Sequence, residues 1–421
     1  MTARRPSGLA PWFRLGSVAA LALLVGWIGG VRPASALPDA PTEAPAGALV
    51  TKIVYVGKRY PEPLPLSLLD KPLSDEGVQG ARLAIKENNV TGRLIGQHYE
   101  LVEVMAKATE DVVPLVKAEL EKGLGFIVAD LEPADLLAVA DLPEAKTALL
   151  FNTRSSRDEL RQQDCRWNVF HIMPNWAMRA DALAQYLIWK TWRRWFVVYG
   201  TSPGDMEYLA AIRRAAQKFG AKIVLERSYE AEAGARRTDS GHQQIQTQMP
   251  MLTQGAPEYD VIFVADAAEA FGDYLLFRTY EPRPVVGSQG LQAVAWHRAF
   301  EQYAGTQLQN RFEKQTKRFM TERDFTAWQA VRVVGEAVTR KSLNTPEEVS
   351  AFILSKDFEV AGFKGVGLTF RTWDHQMRQP ILLSGPRTLV SISPQEGFLH
   401  EKFLADSLGF DEPESKCRFT R

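Results

Sequence analysis

The most constraining stretch of this chain is Lys-Ile-Val-Tyr-Val-Gly at 52–57, followed after a loop by residues 74–104. Residues 52–57 are an apolar strand. Asp75 is placed to cap a helix in which Val78, Ala81, Ile85 and Asn88 fall on one face, while Arg82, Lys86 and Glu87 point to water. Gly92 and Gly96 bracket a turn, and Tyr99, Leu101, Val102 and Val104 form a second strand. Strand, helix, strand in this order is the opening unit of a parallel α/β sheet, because a parallel partner strand has to be reached by a crossover.

The alternation continues. Residues 112–120 read as a helix, 125–129 as a buried strand, 134–140 as a helix and 147–151 as a strand leading into Asn-Thr-Arg-Ser-Ser at 152–156. A long helix is expected over 175–192, then a strand at 195–199, a helix at 205–219, a strand at 222–225, a mobile polar loop at 231–241, a strand at 260–265 and a helix at 267–280. The segment 325–338 is strongly helical.

These segments resemble, in the right order, type I periplasmic binding proteins of the Leu/Ile/Val-binding kind, the solute receptors of ABC importers. The resemblance rests on Gly-x-x-Gly-Ala-x-Leu-Ala-Ile-x-Glu-x-Asn at 77–89 and on Trp-Asn-Val-Phe-His-Ile-Met-Pro at 167–174. It rests also on Arg-Pro-Val-Val-Gly-Ser-Gln-Gly at 283–290, the helix from Phe325, and Phe-Lys-Gly-Val-Gly-Leu-Thr-Phe at 363–370. It implies two Rossmann-like lobes joined by crossovers around a ligand cleft. The implied division is 49–172 plus 286–360 for lobe one, 173–285 plus 361–400 for lobe two, and a C-terminal tail at 401–421.

Residues 1–36 read as a secretory signal, with Arg4, Arg5 and Arg14 ahead of an uncharged run and Ala-Ser-Ala at 34–36; an uncleaved anchor is the alternative. Residues 37–48, rich in Pro and Ala, read as a disordered lead. Removing 1–36 takes away four arginines and no acid, so a chain with 50 basic and 50 acidic residues becomes net −4. That balance leaves no basic field for nucleic acid. Cys165 and Cys417 are the only cysteines, and the sequence allows either a disulfide or two separate thiols.

In such sheets ligands gather at the carboxyl ends of strands. The candidate ligand-binding residues are therefore Tyr60, Asp130, Glu132, Asn152, Thr153 and Ser155 in lobe one, with Tyr199, Thr201, Asp266, Glu269 and Gln289 in lobe two. Val-Ala-Asp-Leu-Glu-Pro at 128–133 replaces the family's Gly/Ser-rich stretch. Either its acids face the cleft and favour a cation, an amine or a polyol, or they cap the following helix. The broad family implies an amino acid-like solute; this departure and the Trp-rich middle resemble the subgroup associated with quinoprotein (PQQ-dependent) alcohol dehydrogenase systems, which implies a small alcohol-derived solute, or a metal ion such as calcium or a lanthanide. Trp189, Trp192 and Trp195 read as core, and Trp296 and Trp328 as partly exposed to the cleft.

The six histidines, His98, His171, His242, His297, His375 and His400, show no mutual metal-ligand spacing. No nucleophile elbow, phosphate loop or Cys-x-x-Cys is present. The expectation is a periplasmic, monomeric, non-catalytic receptor without a cofactor. Its partners are a small ligand and an ABC permease, it meets the membrane only through its signal or that docking, and a sensory module feeding a partner receptor is the alternative.

Overall fold

A computed structural model describes residues 44–62, 72–230 and 239–419, with the backbone alone at 239–243. The signal and anchor readings at 1–36, the lead as far as residue 43, and residues 63–71 and 231–238 lie outside the described residues. Among those described, no helix is long and apolar enough to cross a membrane.

The first lobe runs β1 (Leu49–Lys58), α1 (Val78–Gly92), β2 (Gln97–Ala106), α2 (Val112–Leu120), β3 (Phe126–Asp130), α3 (Pro133–Ala140), β4 (Leu149–Asn152) and β5 (Val169–His171). Its strands are all parallel, in the order β2-β1-β3-β4-β5. Alternate residues of each strand feed opposite faces. Ile53, Tyr55, Phe126, Val128 and Phe151 enter one core, while Val54, Val56, Ile127, Ala129 and Leu150 enter the other.

The second lobe repeats the scheme with α4 (Trp176–Trp189), β6 (Arg194–Tyr199), α5 (Pro203–Phe219), β7 (Lys222–Ser228), α6 (Asp239–Thr253), β8 (Val261–Ala265), α7 (Gly272–Arg278), β9 (Val285–Gly287) and β10 (Leu291–Val294). The parallel order β7-β6-β8-β9-β10 matches that of the first sheet. The chain then returns to the first lobe with α8 (Gly305–Thr316), α9 (Glu322–Lys341), α10 (Pro346–Ile353) and a small sheet of β11 (Val360–Ala361), β12 (Gly367–Phe370) and β13 (Met377–Arg378). Finally β14 (Ile381–Ser384) and β15 (Leu389–Ser393) add antiparallel to the edge of the second sheet at β10.

The sheet hydrogen bonds place β9 and β10 in the second lobe, whereas the sequence reading drew residues from 286 with the first. Leu368, Phe370 and Met377 pack in the first core, although 361–400 was drawn with the second lobe. The short β12 pairs with both β11 and β13, so the side chains of this small sheet follow the core beneath them and not the sequence order of the lobes.

Several local expectations are corrected. Asp75 does not cap α1: Gly77 stands at the N-cap position with φ +79°, and its N–H donates to the Asp324 carboxylate at 2.8 Å. Asp75 pairs instead with Arg318. The 231–241 loop gives way to helix at Asp239. The 267–280 helix shrinks to Gly272–Arg278 because the Asp266 carboxylate collects the N–H groups of Ala270, Phe271 and Gly272 into a loop. Trp296 and Trp328 are buried in the first core, Trp296 stacked on Phe325. Trp195 is core, but Trp189 is 59% exposed.

Cys165 and Cys417 form a disulfide with Cα atoms 5.6 Å apart. Of the two alternatives left open by the sequence, the pairing is the one observed.

Candidate functional site

A cleft of about 680 Å³ lies between the lobes, walled by the segments that leave the carboxyl ends of strands in both sheets. From the first lobe come Glu132 and Pro133 after β3 and the 154–157 segment after β4. From the second come Pro203, Gly204 and Glu207 after β6, Asp266, Ala267 and Glu269 after β8, and Ser288 and Gln289 after β9. Trp176 and Arg179, on α4, line it beside the crossing between the lobes.

The first-lobe wall is an ion-pair network. Arg154 reaches Glu132 at 2.7 Å, Glu62 at 2.9 Å and Asp130 at 3.5 Å. Arg323, in the first turn of α9, reaches Asp130 at 2.7 Å, Glu62 at 2.7 Å and Glu76 at 2.9 Å. Asp130, itself buried, also accepts a hydrogen bond from Tyr55 at 2.7 Å. Burial opposes the Arg323 charge, but Asp130, Glu76 and Glu62 together hold its guanidinium above the ordinary value. Burial pushes the Glu76 carboxyl up, against the pull of Arg323.

The second-lobe wall is organised otherwise. Asp266 takes backbone N–H groups at 2.6–2.8 Å and has its carboxyl pushed up by burial. Gln289 donates to the Asp266 carbonyl at 3.1 Å. The Trp176 ring stacks on Tyr208 at 4.6 Å, and Arg179 pairs with Glu322 at 2.8 Å. Arg157 pairs with Glu207, whose carboxyl is raised by burial.

Of the predicted residues, Glu132, Ser155, Asp266, Glu269 and Gln289 stand on the cleft wall. Asp130 lies just behind Arg154 and Arg323. Tyr60 supports that wall, donating to Asp135 at 2.5 Å and accepting from the Glu132 N–H at 3.0 Å. Asn152 shapes the turn after β4 through bonds to Ser155, and Thr153 bonds the Ala129 carbonyl. Tyr199 packs against the second core and Thr201 is exposed; neither is on the wall. The helix-cap reading does not fit Asp130, whose carboxylate is held by Tyr55, Arg154 and Arg323. Nor does it fit Glu132, which occupies the N-cap position of α3 without a capping bond and pairs with Arg154.

Sequence reasoning missed Arg154, Arg323, Glu62, Glu76 and Trp176. The available signals were Arg154 inside the segment after β4 and Arg323 beside a Thr-x-x-Asp capping box at 321–324.

The periplasmic binding protein family model matches residues 65–384. The chain belongs to this periplasmic binding protein family. No curated protein matches it. Among solved structures, a branched chain amino acid ABC transporter periplasmic ligand-binding protein from Burkholderia xenovorans is 15% identical, with 81% of this chain and 95% of that one covered and a TM-score of 0.64. A leucine-, isoleucine-, valine-, threonine- and alanine-binding protein from Brucella ovis, in its closed conformation, is 14% identical, covers 89% and 100%, and scores 0.65. A solute binding protein from R. palustris in complex with benzoate is 14% identical, covers 88% and 100%, and scores 0.58. At these identities the likeness is one of fold: the two-lobed, type I periplasmic binding protein fold. In this member of the family the four cleft arginines are all matched by carboxylates. Carboxylates on the wall outnumber guanidinium groups by three.

Proposed function

We propose that this protein is an exported, periplasmic solute receptor that closes its cleft on a small organic ligand and presents it to the permease of an ABC importer, without catalysis. The observation that carries the reading is the cleft itself, walled by strand-end segments of both sheets. A ligand bridging both walls gains contacts in the closed form that an open form lacks, and so shifts the population toward closure. The family and its ABC-transporter structural neighbours support this role.

The excess of carboxylates favours a ligand that carries an ammonium group or several hydroxyls. A simple anion meets arginines already paired, so it would have to displace Glu62, Glu132 or Glu322 from them. Amino acid-like solutes remain within this class through their amine. The acids at 128–133 support a small alcohol-derived solute of the kind associated with PQQ-dependent dehydrogenase systems. Among the described residues no three His, Cys, Asp or Glu side chains converge as a metal-ion site, which favours an organic cargo over calcium or a lanthanide.

The test is a thermal-shift screen of the mature protein against amines, polyols, aliphatic amino acids, small alcohols and their acids, benzoate, calcium and lanthanide ions. A ligand at ~100 times its Kd stabilises the native state by roughly 2.7 kcal/mol. A shift with amines or polyols is expected. A shift confined to benzoate or other simple anions would overturn the ligand class, and turnover of a bound compound would overturn the receptor reading.

A further inference from the structure

The C-terminal segment leaves β15 in the second lobe and touches the two lobes in alternation. Asp406 accepts from Arg371 at 2.6 Å, just past β12, and from Arg378 at 2.7 Å, at the end of β13, in the small sheet that packs on the first core. Leu408 buries its side chain in the second core, while its carbonyl accepts from Arg371 at 2.7 Å. Gly409 donates to Asp181 of α4 at 2.9 Å, and its carbonyl accepts from Arg214 at 2.7 Å and Lys218 at 3.0 Å, both on α5. Arg214 also holds Glu414 at 2.7 Å. The chain then returns to the first lobe: Lys416 donates to Gln162 at 2.8 Å, Cys417 is bonded to Cys165, and the Phe419 ring lies 4.3 Å from that of His375.

This path runs behind the cleft. On α4, Met178 and Asp181 meet the tail, whereas Trp176 and Arg179 line the cleft. At about 100° per residue these pairs occupy opposite sides of the helix. Among the described residues three other segments join the lobes: one before α4, one after β10 and one before β14. Two of them are clasped together by Gln379, which donates to the Ile172 carbonyl at 2.6 Å.

We propose that residues 394–417 are a fourth link between the lobes, closed covalently by the Cys165–Cys417 bond, which restricts how far the ligand-free lobes move apart. A chain segment anchored at β15 in one lobe and disulfide-bonded to the other removes widely separated arrangements from the ensemble, as any cross-link removes the conformations it cannot span. Fewer open arrangements leave less freedom for a ligand to quench on closure, so the strap preorganises the cleft.

The experiment is hydrogen–deuterium exchange on the full mature protein without ligand, comparing the parent with the C165S/C417S double variant. The amides of Ile172 and Met173, bonded to the Asn152 carbonyl, and of Ala295, bonded to Glu322, report on the crossings. They are expected to exchange about tenfold faster in the variant, while amides of β3 and β8 keep the parent's rates. Unchanged exchange at the crossings, or an equal acceleration everywhere, would overturn the proposal in favour of a tail that only stabilises the fold. Should the double variant fail to fold, two measurements replace it: the parent treated with a thiol reductant, and Arg214→Gln, which keeps the disulfide and cuts the bonds to Gly409, Glu414 and Asp181 while Lys218 still pairs with Asp181. Faster exchange confined to the crossings is expected in both, and parent-like rates there in both would equally overturn it.

Discussion

Asp130 and Asp266 stand at the ends of equivalent strands of the two sheets, Asp130 as the last residue of β3 and Asp266 just past β8, each after Val-Ala and each beside a glycine at the end of its lobe's first strand, Gly57 inside β1 and Gly200 just past β6. Both are buried. Yet Asp130 is held by Arg154, Arg323 and Tyr55, whereas Asp266 is held by three backbone N–H groups. The same acid at the same place therefore does two jobs. In the first lobe it anchors guanidinium groups that form the cleft wall, so it shapes that wall through charge. In the second it folds the loop before α7, and Trp176 and the neighbouring acids line the cleft beside it.

The largest effect that would sharpen this contrast is expected from Arg323→Met. It leaves Asp130, Glu62 and Glu76 crowded with one guanidinium among them, and breaking such a buried pairing costs about 3–5 kcal/mol. Urea unfolding should show the loss as a lower midpoint with little change in slope. A loss below about 1 kcal/mol would mean that the network behaves as a surface ion pair and that the first wall is not built on charge. Asp266→Ala comes next. It strands the N–H groups of Ala270, Phe271 and Gly272, and about 3 kcal/mol is expected from the same measurement. Exchange protection should fall first around 266–278.

How much of this was legible in the sequence follows from the range of the interactions. Strands and helices depend on neighbours a few residues apart, so α2 was placed at its observed bounds, and the alternation that defines both sheets was plain. The 267–280 helix was drawn too long because period alone does not show that Asp266 draws three amides out of the helix. The amphipathic α8 carried a signal, Leu308 and Phe312 four residues apart, that went unread. The first wall of the cleft was hidden for a different reason: Glu62, Asp130, Arg154 and Arg323 are drawn together from points as far as 261 residues apart. No local spacing encodes that. Strand-end logic found Asp130 and Asp266 alike, and could not tell them apart, because what differs is the partner each one meets in space.

Trp176→Ala tests the second wall from the ligand side. If an amine packs against this ring, affinity should fall by about fivefold, the equivalent of about 1 kcal/mol for a partly exposed cation–π contact, beside the stability lost with its stacking on Tyr208. Isothermal titration with whichever amine the screen returns would read it. No change in Kd would remove Trp176 from the ligand's surroundings and leave the second wall defined by its acids.

The smallest effect separates the two aspartates most directly. Burial raises the Asp266 carboxyl above its ordinary value of 3.8, more than its three N–H bonds lower it. The folded state thus keeps this proton over a range of pH in which the unfolded state has lost it. Stability from this group is full below the unfolded value and is lost as pH rises through the folded one. Asp266→Asn removes that titration while leaving His171, His375 and every other group common to both proteins, so their contributions cancel in the difference. The cost of the substitution should be greatest in acid, below the unfolded carboxyl's value, and shrink as pH rises through the folded one. If the cost grows with pH instead, the carboxylate is stabilised by its surroundings in the manner of an ion-paired acid.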